Sequence, residues 1–297
     1  MKTKIIMMTA LLALLATGCG KDGDGRIRII AENMTAASNG SKVQINPSAP
    51  VNGEQWIAGE YINVNSTSLP ISGNDEDGYS VASQNIALVG GALYAIYPGQ
   101  TQGGNVVTID HSNTSAPSIT LNNLVVDYNG DGTHKVVFPM GAKADGETTT
   151  ILFKHLTAGF RLTLNASTPV TLNKLKVIVY GDAEAEPVVL NGVSYTVKWA
   201  EQAPSVPSGA TGSITDRDVS FASEMNFDLK TSGAAGVEIS SSLQLCIPVT
   251  LATVRRITVV GYDGTGNEVF SKTSTMAGGD VALERNTIYP VAAITVN

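Results

Sequence analysis

The chain has 297 residues, 43% of them hydrophobic and only 15% charged, which is too apolar for a disordered polymer and too evenly mixed for a bundle of membrane-spanning helices. Two Cys and three His leave almost no material for a multi-ligand zinc site, and a formal charge of −7 repels a phosphate backbone, so no metal, cofactor or nucleic acid is expected. Thirty Gly and 12 Pro against 6% aromatics signal many turns, and Val, Thr and Ile crowd the segments between them, a β-rich composition.

Lys2 and Lys4 precede an apolar run from Ile5 to Ala16, the length of a secretory h-region and too short to span a bilayer permanently. The run ends in Ala16-Thr17-Gly18-Cys19, which resembles a bacterial lipobox, with Ala16 standing where Leu is usual. That resemblance implies cleavage between Gly18 and Cys19 and acylation of the Cys19 thiol. Residues 1–18 are therefore expected to be a lipoprotein signal peptide. Residues 19–25, through Gly20-Lys21-Asp22-Gly23-Asp24-Gly25, are expected to be a flexible acidic tether, similar to the short signal that sends some Bacteroidetes lipoproteins to the outer leaflet. A thioether-linked diacyl chain plus an amide-linked one exceeds the two-anchor requirement for stable attachment. Loss of Lys2 and Lys4 takes the basic side chains from 19 to 17 against 26 acidic, a mature charge of −9.

Beyond the tether, period-two alternation recurs along the chain, the signature of half-buried strands. In order, strands are expected at Arg26–Ala31, Val43–Ile45, Trp56–Val64, Ala92–Tyr97, Val106–Ile109, Lys135–Phe138, Thr149–His155, Phe160–Asn165, Leu175–Val179, Val193–Trp199, Leu243–Val249, Ile257–Gly261, Glu268–Ser271 and Thr287–Val296. Turn signals separate them at Ser72-Gly73-Asn74, Pro98-Gly99, Asn129-Gly130-Asp131-Gly132, Asp145-Gly146, Asn191-Gly192 and Asp263-Gly264. No window holds an amphipathic helix longer than a turn or two. The fold class expected is all-β, mostly antiparallel, built as sandwiches. The polar stretch Asn165–Pro169 suggests a division into an N-terminal sandwich, 26–166, and a C-terminal one, 167–297.

Candidates for chemistry are sparse. Cys246 lies within Leu243–Val249 among apolar neighbours and reads as a buried, inert thiol. Asp127-Tyr128-Asn129-Gly130-Asp131-Gly132 carries oxygens at calcium-loop spacing, but Phe138 occupies the twelfth position where an EF-hand needs a bidentate Glu, so a solvated hairpin turn fits better. His111, His134 and His155 share no face by spacing, and no Gly-x-Ser-x-Gly elbow is present, so no catalytic residue is named and an enzyme is not expected. Trp56 and Trp199 read as packing residues rather than carbohydrate platforms.

Four stretches in order resemble the fimbrillin family of Bacteroidetes type V pili: Trp56–Val64, Tyr94-Ala95-Ile96-Tyr97-Pro98, Phe153-Lys154-His155-Leu156-Thr157-Ala158 and Arg285-Asn286-Thr287-Ile288-Tyr289-Pro290-Val291. The resemblance implies two tandem transthyretin-like β-sandwich domains, an outer-membrane lipoprotein, and assembly at the cell surface with other fimbrial subunits by donor-strand exchange. In that scheme a protease that usually cuts after Arg removes the first strand, and a strand from another subunit fills its groove. The removable strand here would be Arg26–Ala31, in which Ile27, Ile29 and Ala31 alternate with Arg26, Arg28 and Ile30. Scission after Arg26 or Arg28 leaves most of it in place, whereas Lys42 offers a clean cut at a residue that departs from the Arg rule. After Tyr289 only Pro290–Asn297 remain, which suggests a tip, accessory or anchor component rather than a stalk subunit. Such a component could bind a host or bacterial surface ligand, and the alternative is a glycan-binding surface lipoprotein outside any pilus.

Overall fold

Apolar residues at every second position give a strand one dry face. The all-β class expected from that pattern is what the structure has. The computed structural model describes residues 25–31, 35–36, 56, 58–75, 78–82, 86–101, 103–113, 117–129, 134–180, 193–199, 214–220, 224–249, 253–254, 256–275, 281–284 and 286–296. All regular elements among them are strands, and none of the described residues forms a helix long and apolar enough to cross a membrane. Residues 1–24, Lys42 and the expected strand Val43–Ile45 lie outside the described residues, as do the turn at Asn191-Gly192 and Gly130–Asp131–Gly132.

An eight-stranded sheet runs in the order Thr67–Pro70, Tyr61–Val64, Ala92–Tyr97, Met140–Asp145, Thr150–His155, Arg26–Ala31, Gly78–Ala82, Ser72–Asp75. Its two outermost strands are separated in sequence by Ile71 alone. Seven inter-strand steps of about 4.8 Å would hold the edges of a flat sheet roughly 34 Å apart, whereas one residue spans only about 3.5 Å. The sheet is therefore rolled over on itself, and Ile71 is the corner at which the chain passes from one layer to the other. Ile71 is buried, its N–H donates to the Glu60 carbonyl at 2.7 Å, and its carbonyl accepts from the Gly59 N–H at 2.9 Å. Inside the roll, Trp56 packs edge-on against Tyr97 and Phe153, with both ring centroids 5.1 Å away.

A ten-stranded sheet follows the path Ile214–Ser220, Val193–Trp199, Ser118–Tyr128, Glu224–Thr231, Lys174–Tyr180, Arg256–Tyr262, Glu268–Thr275, with Val106–Asp110, His134–Val136 and Ala234–Ala235 paired beside it. A five-stranded sheet joins Thr35–Ala36, Thr287–Pro290, Ala158–Asn165 and Ser242–Val249, with Ile294–Thr295 also paired to Ala158–Asn165. Phe160, Leu162 and Leu164 of its central strand are fully buried. Both sheets draw strands from either side of Ala166: Ser118–Tyr128 pairs in parallel with Glu224–Thr231, and Ala158–Asn165 pairs antiparallel with Ser242–Val249.

Several local readings change. Ser72-Gly73-Asn74 is not a turn but part of the edge strand Ser72–Asp75, which pairs with Gly78–Ala82. Trp56–Val64 is a strand only over Tyr61–Val64, because a turn at Ala58–Gly59, with Gly59 at φ +88, interrupts it. Thr287–Val296 divides into two short strands around Val291–Ala293. Phe153→Ala removes a fully buried ring that supports Trp56, and is expected to lower unfolding free energy by about 3–5 kcal/mol. Val106→Ala, at a side chain 43% exposed, should stay within about 0.5 kcal/mol. Urea unfolding followed by intrinsic fluorescence checks both.

Candidate functional site

The opening strand, Arg26–Ala31, is an interior strand. It pairs in parallel with Thr150–His155 on one side, with Ile29 opposite Ile151 and Ala31 opposite Phe153. On the other side it pairs antiparallel with Gly78–Ala82, with Ile27 opposite Val81. Ile27, Ile29 and Ala31 are buried and Arg28 is exposed, so the alternation of the sequence is the alternation of the pleat. The seat is lined by Val81, Ile151 and Phe153, each fully buried. The side chains seated there differ in size: Ile27 stands opposite Val81, Ile29 opposite Ile151, and the smaller Ala31 opposite Phe153.

The two arginines are built into this strand rather than presented on a loop. Arg26 Nε donates to Ser80 Oγ at 2.7 Å, and the Arg28 N–H donates to the Thr149 carbonyl at 2.8 Å. Four residues beyond Ala31, Thr35–Ala36 pairs in parallel with Thr287–Pro290 at the edge of the five-stranded sheet. The segment from Arg26 to Ala36 thus occupies places in two sheets. Gly18 and Cys19, the expected cleavage and acylation site, and Lys42 lie outside the described residues.

The remaining candidates fall into the core or onto the rim. Cys246 is buried, and burial pushes its thiol up to about 12, slightly countered by the Arg161 charge across the ladder. His134 Nε2 meets the backbone of Cys246, 2.9 Å from its N–H and 3.1 Å from its carbonyl, and burial lowers the affinity of that ring for a second proton, partly offset by the Cys246 contact. His155 is fully buried and stands edge-on to Phe138, and His111 sits half-buried beside Asp110. These are the surroundings of packing histidines. Asp127 Oδ1 accepts from the Gly233 N–H at 2.9 Å, and the strands flanking the Asn129–Gly132 signal pair antiparallel, Tyr128 against His134. Among the described residues no group of three or more His, Cys, Asp or Glu is arranged to hold a metal ion. Trp56 is core; Trp199 ends a strand and its side chain lies outside the described residues.

One polar pair has no signal in the sequence. The Tyr97 hydroxyl donates to Glu60 Oε2 at 2.6 Å, at the mouth of a cavity of about 90 Å³ that Asn105, Asp127 and Lys135 also line. The two residues are 37 apart in sequence and meet because Glu60 precedes the corner-facing strand Tyr61–Val64, which pairs with Ala92–Tyr97. Burial raises the Glu60 carboxyl above its ordinary 4.5, partly offset by the Tyr97 hydrogen bond and the Lys135 charge. Burial likewise holds the Tyr97 hydroxyl far above its usual range, so it remains a neutral donor.

No protein-family model matches the chain, and no curated protein matches it. Solved structures do align with it: a candidate cell adhesion protein from Bacteroides ovatus, 18% identical, over 91% of this chain and 91% of that one, at a TM-score of 0.40. Another from Bacteroides uniformis is 14% identical over 92% and 95%, at 0.38, and a third from Bacteroides fragilis is 11% identical over 91% and 92%, at 0.37.

Two outcomes follow from the site chemistry. Iodoacetamide at pH 8 should leave Cys246 unmodified in the native protein and alkylate it once urea unfolds the chain, as read by mass spectrometry. Glu60 binds its proton more tightly when folded, so its contribution to stability is greatest at low pH and is lost as pH rises from 4.5 through the raised folded value. Glu60→Gln lacks that dependence, and the urea midpoint of the wild type relative to E60Q should fall between pH 4 and pH 7.

Proposed function

We propose that the chain is a non-enzymatic cell-surface fimbrial subunit, exported to the outer membrane as a lipoprotein acylated at Cys19, whose opening strand holds the place of a strand from another subunit. The observation that carries this reading is the position of Arg26–Ala31 inside the eight-stranded sheet, paired on both edges. Lifting it out splits the sheet into blocks of five strands and two, with an unpaired edge on each and a row of apolar wells between. An incoming chain recovers both ladders at once, and its alternate side chains set its register.

The strand geometry also bears on where the segment would be released. A cut after Arg26 or Arg28 leaves Ile29 and Ala31 seated. A cut at Lys42 releases Arg26–Ala31 and Thr35–Ala36 together, and so opens places in both sheets. A donor that replaces both spans eleven residues, roughly 36 Å of extended chain. It carries large aliphatic residues where Ile27 and Ile29 stand and a small one where Ala31 faces Phe153. Thr287–Pro290 and Ile294–Thr295 are themselves committed to Ala158–Asn165, which supports an accepting role, as in a tip, accessory or anchor component.

Exchange is testable directly. A site-specific protease sequence is inserted between Asn39 and Lys42 of the soluble mature chain, which is then cut and incubated with a labelled peptide spanning Arg26–Ala36. The peptide should enter in a one-to-one ratio and displace the endogenous segment. A peptide carrying Asp in place of Ile27 and Ile29 should not. Exclusion of the first peptide, or equal uptake of both, would overturn the reading.

A further inference from the structure

We propose that the apolar loop Ile86-Ala87-Leu88-Val89-Gly90-Gly91 rests in the lipid surface to which the acylated chain is anchored, and so fixes how the subunit stands on the membrane. Strand pairing puts the loop and the anchored terminus at one end of the eight-stranded sheet. Asp145 pairs with Ala92, the residue that follows the loop. The next strand begins at Thr150 and runs parallel to Arg26–Ala31, with Arg28 opposite Thr150. On its other side Arg26 pairs with Ala82, the last residue of its strand and four residues before Ile86. Cys19 stands seven residues before Arg26, a length of chain that spans at most about 25 Å. This end of the sheet is thus held within that distance of the anchor.

The loop suits an apolar contact. Among the described residues two large apolar side chains are exposed, Leu88 at 49% and Val106 at 43%. Leu88 lies against Gly146, where a Cβ would collide with its Cδ1, so the bare glycine gives it a seat. Three carbonyls of the loop are already satisfied within the protein. Ala87 accepts from Asn65 Nδ2 at 2.7 Å, Val89 from the Ala92 N–H at 3.1 Å, and Gly91 from the Gly146 N–H at 2.9 Å. These groups do not resist leaving water, and the same bonds hold the loop in shape. No charged residue occurs between Asp77 and Asp110. The neighbouring turn carries two exposed carboxylates, Asp145 and Glu147, which limit depth: they stay among headgroups while Leu88 reaches the acyl boundary. A tip with one large exposed side chain falls far short of the roughly 800 Å² per partner of a stable protein interface. Against a membrane it is enough, because the tether makes the contact intramolecular, at an effective concentration of about millimolar.

Contact in the cell rests on the acylated Cys19 proposed above, and attaching the anchor chemically makes the test independent of that modification. The mature chain is coupled through Cys19 to a maleimide lipid in phosphatidylcholine nanodiscs that carry a nitroxide on the acyl chain, while the buried Cys246 stays unreacted. Paramagnetic broadening is read from methyl and amide signals. It should be strong at the Leu88 methyls and the amides of Ala87–Gly90. It should be absent at Val106, which follows Asn105 of the Tyr97 cavity, at the other end of the strand Ala92–Tyr97. Leu88→Asp should abolish the broadening of the loop amides with the melting temperature retained. No broadening at the loop, equal broadening at Val106, or broadening unchanged in L88D would overturn the proposal, as would a concentration-dependent dimer that L88D dissolves. Acylation is read separately, from the mass of the N-terminal peptide of the exported protein. An unmodified Cys19 there would overturn the anchor reading and the contact with it, an outcome the nanodisc experiment cannot produce.

Discussion

A strand in the interior of a sheet has obligations on both sides: every backbone N–H and C=O it offers to a neighbour has a counterpart that would otherwise be buried without a partner. Arg26–Ala31 stands in that position between Thr150–His155 and Gly78–Ala82. The ladder hydrogen bonds of the eight-stranded sheet pass from the five strands on one side to the two on the other through it. The roll of the sheet sharpens the dependence, because the corner at Ile71 ties the outermost strands together and the ladder leads from it through Ser72–Asp75 and Gly78–Ala82 to this strand. The wells beneath it, made by Val81, Ile151 and Phe153, are continuous with the Trp56–Tyr97 core, so the plug and the core are one packing problem.

The polar interior is arranged to support that packing. His134 is bound to the backbone of the strand that carries Cys246, and Glu60 meets the Tyr97 hydroxyl at the lip of a small cavity whose other polar lining comes from the ten-stranded sheet. A raised carboxyl at Glu60 is the electrostatic mark of that enclosure. With one thiol among the described residues, and that thiol buried, these sheets are held by apolar burial and ladder hydrogen bonds.

Alternation was the informative signal in the sequence, and in Arg26–Ala31 it matches one buried and one wetter face. Arg26–Ala31, Ala92–Tyr97 and Val193–Trp199 have the bounds their patterns suggest. It failed where polar residues interrupt the pattern of a strand or fall on an edge. Ser118–Tyr128, the longest strand at eleven residues, carries Asn122-Asn123 followed by three apolar residues and so shows no clean period. Asn123 is polar because it reaches Asp228 on the adjacent strand, a partner 105 residues away. Ser72–Asp75 reads as a turn because an edge strand tolerates Gly and Asn, which a central one does not.

The parallel pairing of Arg26–Ala31 with Thr150–His155 has a mechanical side. Tension applied along the axis of such a strand loads its hydrogen bonds in shear, so that they stretch together instead of opening in succession as they do when a hairpin is peeled from its end. A filament whose subunits were joined through this seat would place its joints in the geometry that resists pulling best, with two ladders sharing the force.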